Sequence, residues 1–190
     1  VVWSGDPGQA EKLLAPVRKA GTVVRENVRS VDYVALQRSG DYDDPRAFSG
    51  YMKSGFTGKV TTSLVDDLVD NFEHRPERST RVVFQQSGGA IGRVAEDATA
   101  FAHRESKHNM LSFVSWKFGE DGSEHVNYIK SHWAQLEPYT RGFYTNDLFA
   151  EGTSVINANY RGNYNRLLQI KQQYDPGNLF RLNANIRPES

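Results

Sequence analysis

The run from 109 to 118 reads as a strand with apolar side chains on both faces, and few folds have a place for such a strand. Met110, Val114, Trp116 and Phe118 alternate onto one face together with Ser112, while Leu111 and Phe113 point to the other. A strand of this kind needs cover on both sides, which places it in the middle of a sheet. A second run, 80–86, is short, β-branched and aromatic, and Ser87-Gly88-Gly89 ends it in a turn or bulge. Helical stripes surround these strands. Ala10, Leu13, Leu14 and Val17 follow the Asp6-Pro7-Gly8 start and run to Gly21; Leu64, Val65, Leu68, Val69 and Phe72 follow the capping pair Thr61-Thr62. Val126, Ile129, Trp133 and Leu136 recur at helical spacing from about Ser123 until Pro138. Tyr164, Leu167, Leu168, Lys171 and Tyr174 form the clearest stripe, stopped by Asp175-Pro176-Gly177-Asn178 and followed by an extended tail over 179–186. A further strand is expected at the N-terminus, and 40–58, rich in Gly, Asp, Ser and Tyr, is expected to be irregular. This mixed order of strands and helices predicts an α+β fold, an antiparallel or mixed β-sheet with helices packed on one face, rather than a doubly wound parallel sheet.

Charge and residue usage narrow the partners. Lys plus Arg and Asp plus Glu both number 23, so nothing in the net charge favours nucleic acid or an anionic membrane. The densest basic stretches, 75–81 and 181–187, are interrupted and read as solvated surface. The absence of cysteine removes disulfides, thiolate metal sites and a cysteinyl cofactor link from this chain. No apolar run reaches the roughly 20 residues that span a bilayer. The opening Val1-Val2-Trp3-Ser4 lacks the zones of a signal peptide and has no initiating Met, as expected at a domain boundary inside a longer protein. The five histidines include no pair at i and i+4 on one helix, so a metal site is not expected. No phosphate-binding, dinucleotide or nucleophile-elbow motif is present.

Two polar clusters stand out. In the strand-like run Gly142-Phe143-Tyr144-Thr145-Asn146-Asp147, Tyr144 and Asn146 share a face, offering a phenol beside an amide, or else a hydrogen-bonded core pair. In the tail, Asn183 and Asn185 share a face if the chain is extended, or belong to a solvated end.

The segment Asn159-Tyr160-Arg161-Gly162-Asn163-Tyr164-Asn165-Arg166-Leu167-Leu168, with Ile170-Lys171, Tyr174-Asp175-Pro176-Gly177-Asn178-Leu179-Phe180 and Asn183-Ala184-Asn185-Ile186, resembles the C-terminal signature of the berberine-bridge-enzyme-like family. Upstream segments are similar to bacterial members in the same order: Lys53-Ser54-Gly55-Phe56, Ser87-Gly88-Gly89-Ala90, Ala98-Thr99-Ala100-Phe101-Ala102-His103-Arg104 and Pro138-Tyr139, ahead of Gly142-Phe143-Tyr144-Thr145-Asn146. The resemblance covers nearly the whole chain.

It implies the C-terminal, substrate-side portion of an FAD-linked oxidase, with 1–146 as the substrate-domain sheet and helices. On this reading 147–190 would pack on an N-terminal FAD-binding domain outside this chain, and without that domain an apolar face stays uncovered. Carried over by position, Tyr144 is the catalytic residue that helps deprotonate a substrate hydroxyl. A phenol does this at neutral pH only where neighbours stabilise its phenolate. Asn146, Asn183 and Asn185 would contact the flavin, and Gln85 and Ser112 the substrate; where some plant members carry a Glu or Gln, this chain offers Ser112, which is no comparable base. FAD is thus the expected cofactor of the longer protein, with little or none held by this chain alone, and an alcohol, amine or sugar-like molecule is the expected substrate. The alternatives are a stand-alone small-molecule-binding module, or a homodimer formed through the uncovered face. Substrate identity, electron acceptor and compartment are not legible, because they rest on loops and single side chains.

Overall fold

The computed structural model describes residues 2–41, 46–75, 80–147 and 152–188. Its contacts divide the chain into two units, Val1–Asp43 and Asp44–Ser190, so the 147–190 segment lies in the same unit as the sheet.

The first unit holds two short helices, α1 (Ala10–Lys19) and α2 (Tyr33–Arg38). A 3₁₀ turn leads into α1, and the Asp6 carboxylate accepts the Gly8 N–H at 2.9 Å. Asp32 caps α2 in the same way, accepting the Val34 and Ala35 N–H groups at 3.0 and 3.1 Å. Arg18 pairs with both Glu11 and Glu26 at the surface, an arrangement that contributes less than about 1 kcal/mol per pair. The N-terminal strand expected from the sequence does not form: Val2 is exposed and the segment is irregular. A lone strand leaves its N–H and C=O groups unpaired, and the described residues of the first unit contain no second strand to receive them.

The second unit is built on three antiparallel strands, β1 (Phe48–Thr57), β2 (Arg81–Gln86) and β3 (His108–Lys117), in the order β1-β3-β2. The strand rich in apolar residues on both faces is the central one, as its pattern requires. Two helices, α3 (Thr62–Phe72) and α4 (Ser123–Leu136), cover one face. Leu64, Met110, Trp133 and Leu136 form the centre of this layer, with Leu68, Val82, Phe84 and Tyr139 packed around them. The Tyr139 hydroxyl donates to Asp67 at 2.6 Å and ties the end of α4 back to α3. The fold is α+β, and the sheet is antiparallel throughout its described strands.

β1 is the main departure from expectation, because 48–57 was expected to be irregular on account of its glycines. Those glycines serve packing instead. A Cβ on Gly55 would stand 2.7 Å from Thr140 Cγ2 and 3.0 Å from Trp133 Cζ2, so only glycine lets α4 and the following turn close on the strand.

After the sheet come α5 (Thr153–Asn159) and α6 (Tyr164–Tyr174). Asp175 ends α6 by accepting the Leu179 and Phe180 N–H groups at 2.7 and 3.1 Å while also pairing with Lys171. The tail beyond is bent rather than extended. Asn183 sits at φ 58, in the left-handed region that asparagine tolerates, and its carbonyl accepts the Asn185 N–H at 2.9 Å. Asn183 and Asn185 therefore do not share a strand face. Leu179, Phe180 and Leu182 stand 77 to 83 % exposed beside Tyr174.

Candidate functional site

Strand register sorts the polar residues onto two sides. On the side away from the helices, Phe56, Asn109 and Gln85 form one cross-strand row, followed by Ser54, Leu111 and Val83, then Met52, Phe113 and Arg81. The Asn109 amide donates to Gln85 Oε1 at 3.2 Å and to Asp147 Oδ2 at 2.9 Å. Both donor hydrogens are thereby used, which fixes the amide's orientation. Its Oδ1 is buried and has no hydrogen-bond partner among the described residues.

Asp147 ends a 3₁₀ turn, Thr145–Asp147, whose entry fixes the second half of the site. The Asp147 N–H donates to the Tyr144 carbonyl at 2.9 Å, and the Asn146 amide donates to the Tyr144 hydroxyl oxygen at 2.7 Å. The sequence pairs Tyr144 with Asn146 as neighbours on a strand face. The turn brings the same two side chains together by a different route. The pair is no buried core feature: Tyr144 is 39 % exposed and Asn146 is exposed. Phenol, amide and the Gln85-Asn109-Asp147 cluster thus meet at one end of the sheet face turned away from α3 and α4, where Gln85 and Val83 are exposed while Asn109 and Leu111 are buried.

Ser112 is not brought to this cluster. Its side chain lies on the helix-facing side, fully buried, with Oγ 3.1 Å from His132 Nδ1. The strand alternation that groups Ser112 with Met110 and Val114 already puts it against α4, where no substrate reaches it. His132 lies there too, unpartnered at Nε2, stacked on Tyr128, and with its pKa pushed down by burial. The bent tail holds Asn183 exposed and Asn185 half-buried, and the Tyr160 hydroxyl fastens it by donating to the Ala184 carbonyl at 3.3 Å. Two members of the cluster, Asn109 and Asp147, carry no assignment from sequence. For Asn109 the signal was present: it has the parity of Leu111 and Phe113, the side left open.

A cleft of about 400 Å³ adjoins the site beside β1. Lys53, Ser54, Trp133, Phe143, Asp147 and Asn159 contribute to its wall, so Asp147 belongs both to the cleft and to the sheet-face cluster. Among the described residues no group of His, Asp and Glu could hold a metal ion, and no helix is long and apolar enough to cross a membrane.

Residues 154–187 match the family model described as berberine and berberine like. Along nearly its whole length the chain is similar to an uncharacterized FAD-linked oxidoreductase of Bacillus subtilis, YgaK, at 30 % identity over 97 % of this chain and 41 % of the relative. An FAD-linked oxidoreductase of Dictyostelium discoideum is 25 % identical over 98 % of this chain and 41 % of its own length. The chain therefore spans about two fifths of the curated relatives it matches. Among solved structures, a chitooligosaccharide oxidase shares the fold with a TM-score of 0.79 at 20 % identity, over 99 % of this chain and 45 % of that one. Family model, relatives and fold converge: the chain carries the berberine and berberine like segment at 154–187, is similar along nearly its whole length to FAD-linked oxidoreductases, and shares its fold with a chitooligosaccharide oxidase.

Proposed function

We propose that this chain is the substrate-side, C-terminal part of a longer FAD-dependent oxidoreductase that oxidises an alcohol, amine or sugar-like molecule. The observation that carries the reading is the exposed Tyr144–Asn146 pair, set at the end of an open sheet face in a chain whose relatives are FAD-linked and more than twice its length. The residues fit a flavin ring as neutral partners. Asn146 keeps one amide N–H and its carbonyl oxygen after bonding Tyr144, and the buried Asn109 Oδ1 is an acceptor in want of a donor. Asn146, with Asn183 and Asn185 from the tail, would hold the ring by its oxygens and nitrogens. Bound flavin supplies the hydride acceptor.

The chain's own part is to bind, orient and deprotonate. Tyr144, as its phenolate, takes the proton from the substrate's hydroxyl or amine as the neighbouring C–H is oxidised. The Asn146 N–H aimed at the phenol oxygen stabilises the phenolate before the transfer, and its negative charge is neutralised as the proton arrives. Gln85 stands in the same row as Asn109 and offers an amide to a polar substrate. Ser112, sealed against α4, has no part in this reading.

The test is Tyr144→Phe in the longer flavoprotein. Flavin content should be unchanged while the rate of anaerobic flavin reduction falls by about 10²-fold. An unchanged rate reduces Tyr144 to a packing residue. The chain alone should bind FAD weakly or not at all, since a few amide hydrogen bonds of about 1 kcal/mol each hardly offset the several kcal/mol that association costs. Saturable quenching of flavin fluorescence at low micromolar chain concentration would relocate the cofactor site.

A second reading rests on the exposed Leu179, Phe180 and Leu182. The proposed cover is the FAD-binding part of the same protein. A concentration-dependent dimer in sedimentation would favour instead a module that pairs through this face.

A further inference from the structure

Tyr144 is too exposed for burial to orient it; apart from the Asn146 amide on its hydroxyl, what aims the phenol acts through the backbone behind it. That backbone is held by one side chain. Asn159, the last residue of α5, accepts the Phe143 N–H on Oδ1 at 2.9 Å and donates from Nδ2 to the Phe143 carbonyl at 3.0 Å. Both peptide groups of Phe143 are thus fastened to a single amide, itself only 7 % exposed. The amide is fixed in turn by His103, whose Nε2 lies 2.9 Å from Asn159 Oδ1 and 3.0 Å from the Asn159 carbonyl. Oδ1 receives the Phe143 N–H and the His103 N–H together, which settles the amide orientation and requires the imidazole to carry its proton on Nε2. His103 is buried, stacked on Phe56 with ring centroids 4.8 Å apart, and its Nδ1 has no partner among the described residues. Burial keeps this imidazole neutral, with the charge of Arg161 acting in the same direction.

The residue before Phe143 completes the device. Gly142 sits at φ 90, and a Cβ there would stand 2.3 Å from His103 Cε1 and 2.6 Å from Asn159 Oδ1. Its carbonyl accepts the Phe56 N–H of β1 at 2.8 Å. Four separate stretches of chain, carrying Phe56, His103, Gly142–Phe143 and Asn159, therefore close on one point directly before Tyr144. We infer that Asn159, locked by His103, is the positioning residue that sets the direction in which Tyr144 and Asn146 face the substrate. This rests on the reading of Tyr144 given above only for its consequence in catalysis; the positioning itself does not require it.

Two measurements separate these layers. In this chain, 3-fluorotyrosine at position 144 reports its surroundings by ¹⁹F NMR. Asn159→Leu should move that resonance toward free fluorotyrosine, while Asn159→Asp, which keeps the acceptor for the Phe143 N–H, should retain most of the original shift. A resonance unchanged in a folded Asn159→Leu chain overturns the inference. Should Asn159→Leu not fold, His103→Phe, which keeps a ring against Phe56 but removes the donor to Asn159, is read in the same way, and an unchanged resonance there is equally decisive. In the longer flavoprotein, Asn159→Leu should slow flavin reduction by about 10-fold when Tyr144 is present and hardly at all in a Tyr144→Phe background. Equal slowing in both backgrounds overturns action through Tyr144. A Tyr144→Phe variant that reduces its flavin at the normal rate refutes the catalytic reading of Tyr144 instead, and the fluorine shift then decides the positioning.

Discussion

Neighbouring residues of β3 live in two different environments. Met110, Ser112 and Val114 are wholly buried under α3 and α4, whereas Asn109, Leu111 and Phe113 belong to a face where Gln85 and Val83 of the next strand are exposed. On the first side Ser112 and His132 pair with each other, and the His132 Nε2 beyond that pair has no partner among the described residues. On the second, the polar groups form a cluster that leaves an acceptor of Asn109 unmet and stands beside an exposed phenol. The lesson is that one strand divides its surroundings by parity: alternate residues pack under the helices or join the face proposed to meet the substrate, and a polar residue's setting follows from its face rather than its chemistry.

Substitutions on the two faces should accordingly give opposite results. The largest effect is expected from Met110→Ala, which opens a cavity at the centre of the helix-covered layer and should lower unfolding free energy by about 2–5 kcal/mol in urea titration. A loss under about 1 kcal/mol would mean that this layer is not the one that holds the unit together.

The next effect is on pH. His132 has its pKa lowered in the folded chain by burial, so below about pH 6.5 the unfolded chain binds the proton that the folded one refuses. Its contribution is fully present above that value and is lost as pH falls through the folded pKa, with a slope of at most about 1.4 kcal/mol per pH unit. His103 is lowered in the same sense and adds to the same acid loss. His132→Gln should flatten the fall in Tm between about pH 6.5 and 5 without removing it. An unaltered slope would show that His132 is not held neutral between helix and sheet.

The smallest effect is expected on the open face. Gln85→Ala should change stability by no more than about 0.5 kcal/mol, because its side chain is exposed and bonds only to Asn109. A loss comparable to that of Met110→Ala would erase the contrast between the faces.

Much of this was legible in the sequence, and the failures have physical causes. Periodicity marks α3, α4, β2 and β3, since each buries one stripe or face in the same layer, and α6, whose stripe buries Leu168 outside that cluster. It misses β1, because Gly50 and Gly55 look like breakers until the neighbours that crowd them are known: a Cβ on Gly50 would stand 3.2 Å from the Val114 carbonyl oxygen. The pairing of Tyr144 with Asn146 survives the change from strand to turn, as residues two apart meet in either. Ser112 is assigned to the substrate through a resemblance to plant sequences, against its own alternation. Asn159 and His103 lie 56 residues apart, a separation from which no local pattern could announce their contact.

The strand order carries a consequence for how the chain comes to be folded. β3 is the partner of both β1 and β2, yet it is the last of the three to be synthesised. No rung of the ladder can form until residues 108–117 have left the ribosome, so β1 and β2 must wait side by side with neither able to pair. The polar Ser49, Lys53 and Ser54 and the glycines of β1, with Arg81, Gln85 and Gln86 at the ends of β2, lower the tendency of a waiting strand to join the wrong edge.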